Sequence, residues 1–340
     1  MDDLVASLVL SSLVPSRSPL RDLVFVDTQD GPLAVCCDDD GSVWTWDPAR
    51  DVWQRRPLEF AFADDPVFAD HPDATNLIDR VAVVASNGRL LLMAGADEQS
   101  WAVWDLDSGA TLRRAPHHGD YVASVVALPA GGGDQPRFAV TTQYSDELLV
   151  MDAFGTQEPQ EWEHGGASMH LVGFLLAGRS TLAWTDSTDC LAIGEVGSDE
   201  EPLNVDVDGD VSAIAVLPDA RPLMLAGTER GELHVWELRG SLDPDDDGEV
   251  VRRLHGPLPG HRGELRALAA LPVGGRRVAV SGGRDGAVRM WDLESGTAIG
   301  EPLTGHDSGV DAIATTVFDD RPVAASAGRD GTIHLWSIPA

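Results

Sequence analysis

The sequence predicts an all-β fold assembled from repeated units of four antiparallel strands. Residues 260–293 and 305–338 carry this prediction, because they superimpose without a gap at an offset of 45 residues. Both end in a Trp-containing pair, and a period of about 40–45 residues with such an end is typical of one β-sheet unit in a repeat architecture. The superposition pairs His261 with His306, Ser281 with Ser326, Asp285 with Asp330, and Trp291 with Trp336.

Each repeat contains strand-like runs that are joined by a tight turn. VAVSGG and VAASAG are short apolar runs, and AVRMWD and TIHLWS alternate their side chains as a half-buried strand does. Between them lies GRDG, whose Asp-Gly pair tolerates the positive φ angles of a hairpin turn. The pattern therefore predicts an antiparallel hairpin at the centre of each unit.

These repeats resemble those of the WD-repeat β-propeller family. In that family the His, Ser, Asp and Trp of a blade form a hydrogen-bonded chain that ties its strands together. Because buried polar groups require partners, such a chain specifies one strand register, and we interpret these residues as structural and not catalytic. The resemblance implies two complete tetrads: His261, Ser281, Asp285 and Trp291, and His306, Ser326, Asp330 and Trp336.

When the same repeat pattern is followed towards the N-terminus, it predicts one seven-bladed propeller of four-stranded antiparallel blades over residues 1–340. Its strand-ending positions are Trp46, Trp104, Met151, Ile193, Trp236, Trp291 and Trp336. The expected blades are 17–58, 59–116, 117–162, 163–206, 207–259, 260–304, and 305–340 together with 4–14. Blade four lacks the tetrad, and blade five has Ala226 and Arg230 at the serine and aspartate positions.

The two chain ends are expected to join. The last repeat stops one strand short at Ala340, and the strand-like run Leu4–Val14 has no partner upstream. In the family an N-terminal strand completes the final blade, which closes the ring and removes two open sheet edges. We therefore expect Leu4–Val14 to close this ring.

Composition excludes several functions. The net charge is −32 and all 24 basic residues are arginine, so no lysine can bind a nucleotide phosphate or form a Schiff base. Dispersed acidity argues against nucleic-acid binding, which depends on cations that contact phosphates. The absence of lysine is also typical of a GC-rich bacterial genome.

The N-terminus and the cysteines predict a cytoplasmic protein without a membrane partner. The first residues include two aspartates, where a secretory signal would have positive charge, and the apolar run is too short to span a bilayer. Cys36, Cys37 and Cys190 give neither a disulfide framework nor a CxxC metal pair. The chain is strongly acidic, and it is expected to act in a reducing compartment.

No motif in the sequence predicts an enzyme. HExxH and GxSxG are absent, and His306, Asp307 and Ser308 are sequence neighbours that cannot form a catalytic triad. The inner strands also show no obvious cluster of acids or histidines. A propeller enzyme or small-ligand sensor that uses the central channel remains the alternative function.

The loop at 243–249 offers a second alternative, a calcium-binding module. Asp243, Asp245 and Asp247 match the first ligand positions of a calcium loop, and Gly248 follows them. Leu254 replaces the glutamate expected at the last position, so a solvated acidic loop is the simpler interpretation. No cofactor is therefore expected.

A ring of turn residues predicts the partner surface. In the family, the residue before the tetrad aspartate lies on the top face and often contacts the partner. Counting back from the strand ends gives Asp39, Asp97, Tyr144, Asp186, Glu229, Arg284 and Arg329. Solvated turn residues are the alternative interpretation. Trp53 and Trp162 could also serve as partner anchors, or pack in the core. We predict a non-enzymatic protein-interaction scaffold that binds a protein or peptide.

Overall fold

The computed structural model describes residues 6–62, 64, 76, 78–96, 100–115, 122–129, 135–142, 147–156, 158–163, 170–240, 242 and 250–339. Within these ranges every regular element is a β-strand, and the strands form seven antiparallel sheets. The inner strands of neighbouring sheets contact one another all the way around, so the sheets form a closed ring. The predicted seven-bladed β-propeller is confirmed.

The first four blades run in chain order from the channel to the rim. Blade one contains β2 (Leu20–Thr28), β3 (Gly31–Asp38), β4 (Val43–Asp47) and β5 (Val52–Arg56). Blade two contains β6 (Ile78–Ser86), β7 (Arg89–Ala96), β8 (Ser100–Asp105) and β9 (Thr111–Arg114). Blade three contains β10 (Val122–Leu128), β11 (Arg137–Thr142), β12 (Glu147–Asp152) and β13 (Gln160–Glu163). Blade four contains β14 (Leu171–Leu176), β15 (Arg179–Ser187), β16 (Cys190–Glu195) and β17 (Leu203–Asp206).

The remaining blades use the same order with two variations. Blade five contains β18 (Val211–Leu217), β19 (Leu223–Thr228), β20 (Glu232–Leu238) and β21 (Val251–Pro259). Blade six contains β22 (Leu265–Val273), β23 (Arg276–Gly283), β24 (Ala287–Asp292), β25 (Thr297–Ala298) and β26 (Leu303–Thr304). Blade seven contains β27 (Val310–Phe318), β28 (Arg321–Gly328), β29 (Thr332–Ser337) and, from the other end of the chain, β1 (Leu8–Leu13).

The outer strand of blade six is divided, which the sequence did not predict. Both β25 and β26 pair with β24, and Gly300 and Pro302 lie between them. Gly300 has a φ of +69°, a left-handed conformation that bends the chain away from the sheet. Pro302 has no backbone N–H for the ladder. The two residues account for the interruption.

β1 closes the ring, as predicted. It pairs antiparallel with β29, where Ser11 lies opposite His334 and Leu13 opposite Thr332. The Val14 N–H extends the pairing by donating to the Gly331 carbonyl at 2.9 Å. The observed strand begins at Leu8, and Leu4 and Val5 of the predicted run lie outside the described residues.

Apolar side chains pack between neighbouring blades and leave a channel along the ring axis. Second strands are buried on both faces, as in β19, where all six residues are buried. Trp46 and Trp104 are fully buried in third strands, and Trp101 is 4% exposed between blades two and three. All three cysteines are free thiols. No helix in the described part of the chain has the length and apolarity needed to cross a bilayer.

Candidate functional site

Four of the predicted partner residues occupy equivalent turns on one side of the ring, which we call the upper face. Each lies between the second and third strands of its blade and is exposed. Each backbone N–H donates to the carbonyl of the residue that precedes the inner strand. These bonds join Asp39 to Pro19 at 2.8 Å, Glu229 to Asp210 at 2.9 Å, Arg284 to Glu264 at 2.9 Å, and Arg329 to Gly309 at 3.0 Å.

The equivalent position in blade four is Thr185 and not Asp186. The Thr185 N–H donates to the His170 carbonyl at 3.2 Å, directly before β14. The pairing of β15 with β16 is irregular between Thr185 and Ser187, so a count of seven residues back from Ile193 stops one residue short of Thr185. Asp97 and Tyr144 lie outside the described residues.

In blade six the four tetrad residues form a continuous hydrogen-bonded chain. His261 Nε2 lies 2.8 Å from Ser281 Oγ, to which the Trp291 indole N–H also donates at 2.9 Å. His261 Nδ1 lies 2.9 Å from Asp285 Oδ1. Burial lowers the pKa of His261. Burial opposes ionisation of Asp285, but the Arg262 backbone N–H and His261 outweigh it and hold its pKa below the usual value.

Blade seven repeats the chain. His306 Nε2 lies 2.7 Å from Ser326 Oγ, which accepts the Trp336 indole N–H at 2.8 Å. His306 Nδ1 lies 3.0 Å from Asp330 Oδ2. Despite burial, bonds from His306 and Thr332 hold the pKa of Asp330 far below its usual range. Both hydrogen-bonded chains connect the second and third strands of the blade to the loop before its inner strand, which fits a structural role.

One group in the described part of the chain has the composition of a metal site: His306, Asp330 and His334, with ligand atoms within 4.8 Å of one another. The Thr332 hydroxyl lies among these atoms, 2.5 Å from Asp330 Oδ1, 3.2 Å from His306 Nδ1 and 3.5 Å from His334 Nε2. His306 and Asp330 already bond to each other within the tetrad. We therefore interpret the group as a hydrogen-bonded cluster. The predicted calcium loop at 243–249 lies outside the described residues.

The two predicted arginines differ in their surroundings. Arg329 Nε donates to Asp311 Oδ2 at 2.7 Å, and Arg266 Nη1 donates to the other oxygen of that carboxylate at 2.8 Å. The exposed Arg284 guanidinium makes no hydrogen bond or ion pair with any residue that the structure describes. Arg284 is therefore the member of the pair with all its donors available.

Of the two described acidic residues in the predicted ring, one forms an ion pair with an arginine and the other is exposed to solvent. Asp39 forms an ion pair with Arg21 of the inner strand β2. Glu229 is exposed at the blade-five turn. The predicted acidic ring is thus present at these two positions, and one of them is already partly neutralised by the protein itself.

Trp53 has a packing role. Its ring stacks on Trp46 at 5.7 Å between centroids, and its indole N–H donates to Ser12 Oγ at 2.8 Å. Ser12 belongs to β1 and donates in turn to Asp51 at 2.6 Å. Trp53 therefore connects the closing strand to blade one, whereas the Trp162 side chain lies outside the described residues.

The structure also reveals a group of polar residues that the sequence did not. Asp22, Arg80, Ser124 and His170 come from four different blades and together line the central channel. Asp22, Arg80 and Ser124 each follow a β-bulge at the start of an inner strand, and His170 lies directly before β14. The group contains one acid and one histidine, so it is not the cluster of acids or histidines expected of a propeller enzyme.

The comparisons with known proteins agree with this architecture. The family model described as WD domain, G-beta repeat, matches residues 251–292 and 297–337. These segments span the outer strand of blade five and most of blades six and seven. A search of curated proteins found no match. The two matched repeats and the seven-bladed ring support a WD-repeat β-propeller, a fold that commonly acts as a protein-interaction scaffold.

Proposed function

We propose that the protein is a non-enzymatic scaffold that binds a protein or peptide on its upper face, centred on blades six and seven. The family assignment supports the general role. The single observation that supports the location is the exposed Arg284 guanidinium, which has no partner among the described residues of a chain whose net charge is −32. Asp97, Tyr144 and Asp186 complete the proposed contact set.

Arginine determines the chemistry of the contact. A guanidinium binds a carboxylate through two parallel hydrogen bonds, which fixes orientation as well as affinity. Arg284 is therefore the proposed anchor for an acidic side chain or a chain terminus. Arg329 is held by Asp311 and would contact the same partner group with its remaining N–H donors.

The acidic positions determine what else the partner carries. Asp39 and Glu229 are exposed on either side of the arginine pair around the ring. Like charges that face each other across an interface are unfavourable, so a uniformly acidic partner is disfavoured. The preferred partner places an acid at Arg284 and basic groups opposite Asp39 and Glu229.

The test begins with affinity capture of the wild-type protein from the cells that produce it, with mass spectrometry of the co-purifying proteins. The affinity of the recovered partner is then measured for Arg284→Gln, Arg329→Gln and Arg321→Gln variants. Arg321 is an exposed arginine at the start of β28 in blade seven, directly after the turn from β27. It lies on the face of the ring opposite the upper face and serves as the matched control.

We expect Arg284→Gln to weaken binding at least about 10-fold, which corresponds to about 1.4 kcal/mol, and Arg329→Gln to weaken it less. Arg321→Gln should bind like the wild type. Wild-type affinity in the Arg284→Gln, Arg329→Gln double variant, shown to be folded, would place the partner elsewhere.

A further inference from the structure

The residues that follow the β-bulges make one side of the central channel polar and place alanines on the other, where Arg266 and Asp311 also line the cavity. Six of the seven inner strands have a β-bulge near their start, and the residue after each bulge faces the channel. In blades one to three this residue is Asp22, Arg80 and Ser124; in blades five to seven it is Ala213, Ala267 and Ala312. Small side chains on one wall leave a cavity of about 210 Å³ beside the polar wall.

The other charged residues that line the channel form ion pairs within the protein. Arg21 pairs with Asp39, and Arg266 pairs with both Glu264 and Asp311. These ion pairs join groups on the same blade or on adjacent blades at the upper face. Their charges are therefore largely neutralised within the protein.

Asp22 and Arg80 are held in place by backbone groups instead. The Asp22 carboxylate accepts the Leu23 N–H at 2.8 Å and the Val81 N–H at 2.9 Å. Arg80 Nη1 donates to the Asp79 carbonyl at 2.9 Å. Asp22 and Arg80 form no ion pair within 4 Å with each other or with another described residue, but they act on each other: burial raises the pKa of Asp22, and the positive charge of Arg80 opposes that rise. The remaining guanidinium donors and carboxylate lone pairs are available to a ligand.

We propose that this cavity binds a small zwitterion with a carboxylate beside a protonated amine, the chemistry of a free amino acid. The carboxylate pairs with Arg80 and the ammonium group with Asp22, on neighbouring inner strands. An enclosed charge is costly unless it is paired, so a ligand with both charges is favoured over one with a net charge. The cavity volume limits the ligand to this small size class.

Ser124 and His170 supply the remaining contacts. Neither side chain makes a hydrogen bond to another described residue, and both line the cavity. Burial, with a smaller contribution from the charge of Arg80, lowers the pKa of His170 to about 4. His170 is therefore neutral at pH 7 and can donate or accept a hydrogen bond without adding charge to the site.

The experiment is calorimetric titration of the purified full chain with the free amino acids, and with acetate and ethylamine as single-charge controls. We expect saturable binding of at least one amino acid at a Kd of about 1 mM or tighter, and much weaker binding of acetate and ethylamine. Arg80→Gln and Ala267→Leu should each weaken binding at least about 10-fold, because one removes the carboxylate partner and the other fills the cavity. Arg321→Gln, far from the channel, should bind normally.

Thermal unfolding of each variant verifies its fold. Arg80→Gln replaces a partly exposed side chain, so it provides the decisive result if Ala267→Leu does not fold. The proposal is overturned if no amino acid binds at up to about 10 mM, if acetate or ethylamine binds as tightly, or if Arg80→Gln binds like the wild type. The titration uses no protein partner, so its outcome is independent of the upper-face proposal.

Discussion

Blades six and seven differ from blades four and five in how their strands are held together. In blades six and seven, a buried serine hydroxyl accepts the indole N–H of a third-strand tryptophan and shares a hydrogen bond with Nε2 of a histidine in the loop before the inner strand. Among the described residues of blades four and five no such chain is present, and a common apolar cluster fills the space between these blades, including Phe174, Ile193 and Trp236. The fold therefore tolerates loss of the polar chain where apolar packing is continuous.

Blade five also shows how a lost tetrad is replaced. Trp236 keeps its place in the third strand and stacks on His234 at 5.8 Å, with the rings 15° apart. The next residue, Glu237, is 1% exposed and contacts three arginines: Arg221 at 3.2 Å, Arg239 at 2.6 Å and Arg252 at 3.3 Å. The polar contacts of this blade thus lie at the end of β20, whereas those of blades six and seven lie at the upper turns.

The largest effect is expected from removing the strand that completes blade seven. Deleting residues 1–16 removes β1, which exposes the edge of β29 and removes the contacts of Ser12 with Asp51 and Trp53 of blade one. We expect the truncated protein to aggregate, as measured by light scattering and by the soluble fraction on expression.

The control for this truncation is Val9→Ser, which changes an exposed side chain of β1 and keeps the strand. That variant should stay soluble. A truncated protein that is monomeric, with an unchanged Tm, would show that β1 does not hold the ring closed.

A smaller effect is expected from breaking one tetrad. Asp330→Ala leaves the His306 Nδ1 group and the Asp307 N–H without their acceptor. We expect the free energy of unfolding to fall by about 1–3 kcal/mol, measured by urea denaturation. The matched control is Arg230→Ala, at the corresponding position of blade five, where no tetrad exists; its effect should stay within about 0.5 kcal/mol. An equal loss of unfolding free energy in the two variants would show that the tetrad of blade seven does not stabilise the protein more than the corresponding turn of blade five.

The sequence predicts the architecture well where a local pattern carries the information. The 45-residue offset located both tetrads, and the unmatched apolar run at the N-terminus located the closing strand. These features depend on side-chain types at fixed spacing within one repeat. Of the five upper-face ring positions that the structure describes, four lie at the predicted residue, and the fifth is shifted by one residue where the β15–β16 hairpin is irregular.

The channel could not be predicted in this way because its residues come from different blades. Asp22 and Arg80 follow β-bulges, and a bulge reverses which side of a strand a residue faces. His170 lies in blade four, which lacks that bulge, just before β14. Only the closed ring brings Asp22, Arg80 and His170 into one cavity. The Arg329–Asp311 pair was hidden for a related reason, since Asp311 lies on β27 and Arg329 lies 18 residues later in the turn after β28.

The most direct test of the account is native-state amide hydrogen exchange, resolved by blade. The central claim tested is that buried tetrads hold the strands of blades six and seven more firmly than apolar packing alone holds those of blades four and five. Amides in β23, β24, β28 and β29 should therefore exchange more slowly than those in β15, β16, β19 and β20. Asp330→Ala should speed exchange in β28 and β29 first. Uniform protection around the ring, or slower exchange in blades four and five, would contradict the account.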